Sequence, residues 1–526
     1  MKHKILMIGA GLLLMTAWSC REQSDELLAY DHNDELVFKA AQTSFAAKFN
    51  VMWNGLNQNY AIWDFEKEQG VDWDAAYREF YPQFAALDKR DKNNPVTDDE
   101  LKELMRKFLG PLHDGHFYMM LNNHMTGSQV QYQPSVDRLQ MRDDYRTTGV
   151  TLSLRYYADV ANGEIETDAD GNPIVKEYST DFNSISMAFY STEGQGFQWM
   201  RARAEELDAK PSLTDYETFE LEQMQNLTDD LIQIGGQSIP EAIAIWNNLV
   251  TQYSFLHIPG FDYIDPGFDE NGISVKYALL KGNIAYFSLS RFALSSYLDD
   301  KTCASEFDLS VPATQQHVKL TKEVWQSWYD AVQQLHKNGT LGGVIIDVRN
   351  NGGGDMDDSQ YVVGSLLPAG GIHFGYQRFK RGTARYDYSP LMPAIVGSME
   401  QPHETITEPV VIMTNCMSVS MSETSALCVK TMPNGTTLGK RSFGAICALS
   451  GNESNSFNYA GHIGVKGVTP VYGYVPSMAS YTLDKKLIEA EGITPDIEVD
   501  FDIPLFNTTG KDSQIDRALQ FIRTGK

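Results

Sequence analysis

A short apolar run that leads into three glycines constrains this chain more than any other feature. Residues 343–348 (GVIIDV) are apolar except for Asp347, and Gly352, Gly353 and Gly354 follow Arg349 and two asparagines. Such a run is typical of a strand buried on both faces of a parallel sheet. Glycines at its carboxyl end allow backbone N–H groups to approach a ligand closely, although an isolated triple glycine is more often a flexible turn.

The pattern around this strand continues over residues 273–505. Apolar strands are predicted at 273–279, 283–289, 343–348 and 410–413, and helices at 324–335 and about 420–430. Strands that alternate with helices predict an α/β domain with a mostly parallel sheet. Residues 506–526 are predicted to form a C-terminal helix.

The start of the chain has the pattern of an export signal. Lys2 and Lys4 precede an apolar run over residues 5–18, and Cys20 follows small and bulky residues. This pattern predicts a signal peptide over residues 1–19. The residues before Cys20 resemble the lipobox of bacterial lipoproteins, which implies that Cys20 is lipidated and that residues 20–35 form a tether. An ordinary secretory signal or a single membrane anchor is the alternative.

Two further regions precede the α/β domain. Residues 36–125 are predicted to be a helical bundle, because apolar residues recur at helical spacing from Trp73 to Phe84 and from Leu101 to Phe108. Thr97 and Glu100 are spaced as a capping box. Residues 126–272 predict a mixed α+β middle domain, with a strand near 150–157, a turn at 168–172 and helices near 213–233 and 240–253.

Charge and cysteine content exclude several classes of function. The 526 residues contain 43 Lys and Arg against 69 Asp and Glu, a formal charge of −26, which repels phosphate backbones and argues against a nucleic acid partner. The five cysteines show no paired metal spacing, so neither a zinc site nor a disulfide framework is predicted. No metal or cofactor is implied.

A second motif places three serines after an apolar strand. Ser418, Ser420 and Ser422 alternate where residues 410–413 lead into a helix, and Glu423 follows. A hydroxyl at a helix N-terminus lies near free N–H groups that stabilise negative charge, as a nucleophile that forms an oxyanion requires. The alternative is an ordinary serine N-cap.

Four ordered motifs resemble those of the C-terminal processing, or tail-specific, serine protease family. They are DVRNNGGG at 347–354, SVSMSE at 418–423, LGKRSFGAI at 438–446 and EGITPDIEV at 491–499. The resemblance implies a crotonase-like α/β core with Ser420 as the nucleophile. It further implies that Met421 and Gly353 supply the oxyanion-hole N–H groups, with Gly352 as the alternative to Gly353.

The chain departs from the bacterial branch of this family at the general base. That branch has a lysine in an FGKG segment, where this chain has Ala445, and Lys440 is five residues too early on the expected strand. The chain is more similar to the branch of the tricorn protease core, which uses an upstream histidine. His116 in the HDGH segment is then the base and Glu489 the carboxylate that orients it. Gly115 replaces the bridging serine of that branch, so water fills the gap or the relay is incomplete.

The residues alone leave other interpretations open. His113 to His116 could be a helix C-cap with a left-handed Gly115, or a weak HxxH metal pair. Glu489 could be a solvated surface carboxylate.

The resulting hypothesis is a serine endopeptidase that cleaves exported or unfolded polypeptides through an acyl-enzyme. It would be lipid-anchored in the cell envelope, at the outer membrane. The alternative is a catalytically weak or inactive member that acts as a binding protein, because Ala445 and Gly115 depart from the family. A purely structural lipoprotein is disfavoured by the intact serine and glycine motifs. Residues 126–272 are a divergent PDZ domain or a cap, and the sequence does not indicate an oligomeric state.

Overall fold

The computed structural model describes residues 38–142, 144, 195–234, 273, 275–280, 282–448, 462–502 and 512–526. Cys20, the predicted strand at 150–157, the turn at 168–172 and the helix at 240–253 lie outside these residues. The chain divides into two units. One comprises Met1–Ser135, Gln377–Met392 and Cys447–Ser480; the other comprises Val136–Tyr376, Pro393–Ile446 and Tyr481–Lys526.

The helices and strands of the chain have the following bounds. The helices are α1 Phe45–Asn59, α2 Trp63–Glu68, α3 Trp73–Leu87, α4 Asp98–Leu109, α5 Pro134–Gln140, α6 Gln195–Asp208, α7 Asp215–Ile234, α8 Leu294–Leu298, α9 Asp300–Glu306, α10 Pro312–Lys337, α11 Ser359–Val362, α12 Met421–Thr431 and α13 Ser513–Thr524. The strands are β1 Tyr118–Asn123, β2 Ser128–Tyr132, β3 Val275–Leu280, β4 Ile284–Leu289, β5 Gly343–Asp347, β6 Ile372–Phe379, β7 Met392–Val396, β8 Val410–Thr414, β9 Gly435–Gly439, β10 His462–Ile463, β11 Val471–Tyr474, β12 Met478–Tyr481 and β13 Ile497–Glu498.

The second unit contains a six-stranded sheet in the order β13–β9–β8–β5–β4–β3. Only β3 is antiparallel to its neighbour; the other pairs are parallel, which confirms the predicted sheet. All residues of β5 and β8 are buried, as their apolar composition predicts. Asp347 is in register with Met413, so the carboxyl ends of β5 and β8 lie side by side. The glycine and serine motifs therefore begin at the same edge of the sheet.

Helices cover both faces of this sheet. On one face α10 buries an apolar stripe that includes Val318, Trp325 and Trp328, and the Trp328 ring stacks on Phe287 with centroids 4.6 Å apart. On the other face α13 packs Ala518 against a cluster that includes Ile345 and Val411. The sheet is thus the core of this unit.

Arg349, the arginine that follows β5, anchors helix α13. Its guanidinium donates to both Asp347 oxygens, at 2.9 and 2.5 Å, to Asp512 at 2.7 Å and to the Gln514 side chain at 2.7 Å. Arg349, Asp347 and Asp512 are all buried. Because each buried charge has an opposite partner, Arg349 fixes the start of α13 to the end of β5.

The first unit contains α1 to α4 and a four-stranded sheet in the order β10–β11–β1–β2. The helices predicted from the spacing of apolar residues are present as α3 and α4, and α4 begins with the predicted Thr97–Glu100 capping box. Phe49 of α1 packs on Phe84 and Phe108, with ring centroids 5.1 and 4.8 Å apart. The antiparallel strands were not predicted, because β1 pairs with β11 from a distant part of the sequence.

The helix predicted at 213–233 is present as α7, and α6 and α7 bury Leu207, Met224 and Leu227. A further sheet has three strands in the order β12–β6–β7. Within the described part of the chain, no helix combines the length and apolarity that crossing a membrane requires.

Candidate active site

Ser420 lies at the tight turn between β8 and α12. Its φ is 58° and its ψ is −112°, whereas an N-cap residue normally has an extended backbone. The serine is the N-cap residue of α12, as the capping interpretation expected, but its backbone is strained. Strain of this kind persists only where the surroundings impose it, and it is typical of nucleophiles held at a strand-to-helix turn.

The two neighbouring serines hold the structure together. Ser418 Oγ donates to the Val348 carbonyl at 2.7 Å, and Ser422 Oγ donates to the Asn351 carbonyl at 2.8 Å. Both residues are fully buried, whereas Ser420 is only partly buried. Of the three serines, Ser420 is therefore the one available for chemistry.

Glu423 fixes the turn that carries Ser420, which we call the serine turn (residues 415–420). Its buried carboxylate accepts the N–H groups of Ser420 at 3.1 Å, Gly444 at 2.8 Å and Ala445 at 2.7 Å, and the Ser442 hydroxyl at 2.6 Å. Burial raises the pKa of Glu423, while these four donors oppose the rise. The carboxylate thus joins the serine turn to residues 442–445.

Gly353 lies directly against the nucleophile. Its φ is +91°, and a Cβ built on it would lie 2.6 Å from the Cβ of Ser420 and 2.9 Å from the Met421 nitrogen. No larger residue fits this position without displacing the serine turn. The glycine loop (residues 351–355) therefore forms one wall of the site.

The predicted oxyanion-hole donors differ in their availability. Among the described residues, the Met421 N–H at the first turn of α12 has no acceptor, so it is available to an oxyanion. The Gly353 N–H donates to Asn351 Oδ1 at 2.8 Å and is engaged. The exposed Gly352 N–H, the alternative donor, has no acceptor in the described part of the chain. Thus Met421 is free to donate, and Gly353 must first leave Asn351.

The positions of Ala445 and Lys440 show why this chain has no lysine base of the kind found in the bacterial branch. The buried Ala445 offers its carbonyl to the Ser420 N–H at 3.1 Å, so the position that matches the lysine does lie beside the serine. Lys440 Nζ binds Glu498 at 2.7 Å and Asp500 at 2.8 Å, and these partners raise its pKa. A lysine paired in this way is not a general base for Ser420.

Glu489 belongs to the same unit as Ser420 and is fully buried. One of its oxygens accepts the Ile446 N–H at 2.9 Å, and the next residue, Ala490, donates its N–H to the Gly444 carbonyl at 2.9 Å. The surface-carboxylate interpretation of Glu489 is therefore wrong. The carboxylate lies against the segment that follows Ala445.

His116 belongs to the first unit. Helix α4 ends at Leu109 with Gly110 as its C-cap, and Gly115 does not have a positive φ, so the C-cap interpretation of Gly115 is wrong. Burial lowers the pKa of His116 to about 4, while a hydrogen bond with the Cys447 backbone opposes the shift. The buried Nδ1 has no hydrogen-bond partner among the described residues. His116 is consequently neutral near pH 7 and able to accept a proton.

Two buried acids hold the loop that carries His116. Asp114 Oδ1 accepts the N–H groups of His116 and Phe117, both at 2.9 Å. Glu66 accepts the His113 N–H at 2.7 Å, and its second oxygen lies 2.7 Å from His113 Nδ1. Tyr60 joins the two acids, because its hydroxyl donates to Glu66 at 2.5 Å and accepts the Asp114 N–H at 3.0 Å. His113 thus pairs with a carboxylate.

Several of these contributions were not predicted. The sequence motif includes Glu423, but its role as a four-donor acceptor was missed, although a serine followed three residues later by glutamate is a capping-box signal. Asn351 was missed as well: it holds the Gly353 N–H through Oδ1 and donates through Nδ2 to the Leu289 carbonyl at 2.8 Å.

A parallel sheet that presents a strained serine at a helix N-terminus, with an unpaired backbone N–H beside it, defines a serine-type hydrolase. Residues 283–499 match the profile of peptidase family S41. This match covers less than half of the chain and carries its similarity to that family, and the protein is a serine peptidase. Among curated proteins, none matches the chain significantly.

The chain is similar to several solved structures, at low sequence identity. A candidate peptidase from Parabacteroides merdae ATCC 43184 is 16% identical, covers 90% of this chain and 95% of its own, and has a TM-score of 0.44. Mature CPAF in complex with lactacystin is 12% identical. The match covers 93% of this chain and 100% of that chain, with a TM-score of 0.45. The photosystem II D1 C-terminal processing protease is 16% identical. The match covers 89% of this chain and 94% of that chain, with a TM-score of 0.34. Because these scores are below 0.5, the family assignment rests on residues 283–499.

Proposed function

We propose that the protein is an endopeptidase that cleaves polypeptides through an acyl-enzyme on Ser420. The serine Oγ attacks the scissile carbonyl, and the negative charge that forms on the carbonyl oxygen is stabilised by the Met421 N–H and by Gly353 or Gly352. The observation that carries the proposal is the strained Ser420 backbone at the start of α12, beside the unpaired Met421 N–H.

The proposed general base is His116. It would take the proton from Ser420 Oγ and return it to the leaving amine, after which water hydrolyses the ester. Glu489 is the proposed carboxylate that orients the histidine. The motif order of the tricorn-like branch supports this assignment, as do the neutrality of His116 near pH 7 and the burial of Glu489.

The proposed setting follows from the start of the sequence. A signal peptide over residues 1–19 and a lipid on Cys20 would place the enzyme in the cell envelope, anchored to the outer membrane. Exported or unfolded polypeptides are the substrates that such a peptidase would meet. A crotonase-like core, with residues 126–272 as a divergent PDZ domain or a cap, belongs to the same proposal.

Acylation of residues 21–526 by a fluorophosphonate probe tests the mechanism. We expect labelling of the wild type and none of Ser420→Ala or His116→Ala. Lys440→Ala is the matched control, because Lys440 binds surface carboxylates, and it should label like the wild type. Labelling that survives in Ser420→Ala would refute the nucleophile, and labelling that survives in His116→Ala would refute the base.

One observation favours the second candidate, a binding protein that kept the fold and lost the chemistry. The Gly353 N–H is engaged by Asn351, so in this arrangement the oxyanion hole lacks its Gly353 donor. If the folded wild type does not react with the probe, this candidate replaces the first. Binding of a peptide by the unreactive protein, measured by calorimetry, would then support it.

A further inference from the structure

The glycine loop is aligned by a segment that the motifs do not include. The Phe292 N–H donates to the Gly353 carbonyl at 2.9 Å, and the Asp355 N–H donates to the Phe292 carbonyl at 2.8 Å. Gly354 lies between these bonds, and a Cβ on it would lie 2.0 Å from the Phe292 oxygen. The position of Gly353, and with it the wall of the site at Ser420, therefore depends on where Phe292 lies.

Asp358 holds the segment that contains Phe292. Its fully buried carboxylate accepts the N–H of Ser295 at 2.7 Å through one oxygen and the N–H of Leu294 through the other. These donors are at the start of α8, two and three residues after Phe292. Asp358 itself follows the glycine loop, so its carboxylate connects the glycine loop to the start of α8.

The ionisable surroundings of Asp358 are mostly acidic. Burial raises its pKa to about 6, the N–H and hydroxyl donors oppose the rise, and Asp355 adds to it. Lys322 of α10 is paired with Asp300 at 2.7 Å. The ionisable residues on the segments packed around Asp358 are Arg291, Asp299, Asp300, Lys322, Asp355, Asp357, Tyr361 and Glu400.

We infer that Asp358 is a positioning residue for catalysis, and that its ionised carboxylate keeps residues 292–295 in the place that aligns the glycine loop beside Ser420. The inference rests on the proposed function and adds a group that its mechanism does not include. A carboxylate accepts two N–H groups, whereas a protonated or amidated side chain keeps only part of this capacity. Loss of the charge therefore loosens the segment and misplaces the oxyanion donors.

The inference assigns the pH dependence of acylation near neutrality to Asp358. As the pH falls through about 6, Asp358 takes up its proton, whereas His116, with a pKa of about 4, remains neutral. Between pH 5 and pH 8 the acylation rate of the wild type should therefore rise with a midpoint near 6. A histidine of ordinary pKa would give a similar midpoint, so the variants must separate the two assignments.

The test compares rates of fluorophosphonate acylation from pH 5 to pH 8 in the wild type, Asp358→Asn and Asp357→Asn. Asp357 is exposed on the same turn and is the matched control. We expect Asp358→Asn to be about tenfold slower at pH 8 and to lose the midpoint, since misplacing an oxyanion donor costs less than removing it. Asp357→Asn should keep both. A folded Asp358→Asn protein with the wild-type midpoint would overturn the inference.

A second variant and hydrogen exchange test the role of Asp358 independently of its own substitution and of catalysis. Ser295→Pro removes the N–H and hydroxyl donors of Ser295 to Asp358 without altering charge, so it should slow acylation and move the midpoint above 6. Amide hydrogen exchange at pH 8 needs no catalysis: Asp358→Asn should speed exchange in peptides spanning 290–296 and 351–356. If the wild type is unreactive but exchange rises there, the proposed function fails while the positioning stands. Unchanged exchange overturns the inference.

Discussion

Gly353 and Ser420 are packed so closely that a single methyl group on the glycine would lie 2.6 Å from the Ser420 Cβ. We therefore expect Gly353→Ala to displace the serine turn and the Met421 N–H together. The rate of fluorophosphonate acylation should fall by about 10²–10³, the usual loss for one oxyanion donor.

The control for this prediction is Gly370→Ala. Gly370 has open space where the Cβ would stand, so its variant should acylate at the wild-type rate. A Gly353→Ala protein that is folded by circular dichroism and acylates normally would show that the close packing has no catalytic consequence.

Glu423→Gln should weaken both the fold and the site. The amide NH₂ cannot accept the N–H groups that now share the carboxylate, so a buried donor loses its acceptor. We expect the free energy of unfolding to fall by about 2–4 kcal/mol in urea titrations, together with loss of labelling. Glu491→Gln, which breaks only the exposed pair with Lys486, should cost less than about 1 kcal/mol. Equal stabilities for the two variants would contradict the role given to Glu423.

Glu66→Gln should reduce acylation without altering the unit that contains Ser420. Glu66 fixes His113, and Tyr60 links it to Asp114, which in turn holds the N–H of His116. We expect about a tenfold lower acylation rate, smaller than the full loss of general-base assistance. Glu68→Gln, at an exposed position of the same helix, is the matched control. Partial recovery in Glu66→Asp would identify the carboxylate as the positioning group.

His116 should make stability depend on pH. Its folded pKa of about 4 lies below the ordinary 6.5, so the unfolded chain binds the proton first. The contribution is therefore complete above pH 6.5 and is lost as the pH falls to 4, by at most about 3 kcal/mol. His116→Asn should remove this part of the pH dependence in urea unfolding. An unchanged difference in stability between pH 7 and pH 4.5 would show that His116 titrates normally.

Asp358 should change the stability of the fold with pH in the direction opposite to His116. Its folded pKa of about 6 lies above the ordinary 3.8, so its contribution to stability is present below pH 3.8 and is lost as the pH rises through 6. Relative to the wild type, Asp358→Asn should therefore gain stability as the pH rises from 4 to 7. Parallel stability profiles for the two proteins would contradict this assignment.

The sequence predicted the parts of the fold in which local pattern and burial agree. Strands β5 and β8 are apolar except for Asp347 and Thr414, because both faces of the sheet are covered. Thr97 and Glu100 form the capping box that marks the start of α4. The pairing of β1 with β11 was missed, because neither strand has a clear alternation of apolar and polar residues and the two strands are far apart in the chain.

In the site too, features set by local motifs could be predicted, and features set by other contacts could not. Ser420 and the glycines could be predicted because their motifs are local. The burial of Glu489 could not, since its hydrogen-bond donor, Ile446, is 43 residues away. Nor could the engagement of the Gly353 N–H, which depends on the rotamer of Asn351.

The contact of Arg349 with Asp512 and Gln514 has a consequence for biosynthesis. The guanidinium cannot be buried with its partners in place until residues 512–514 have been synthesised. The face of the sheet covered by α13 stays open until then.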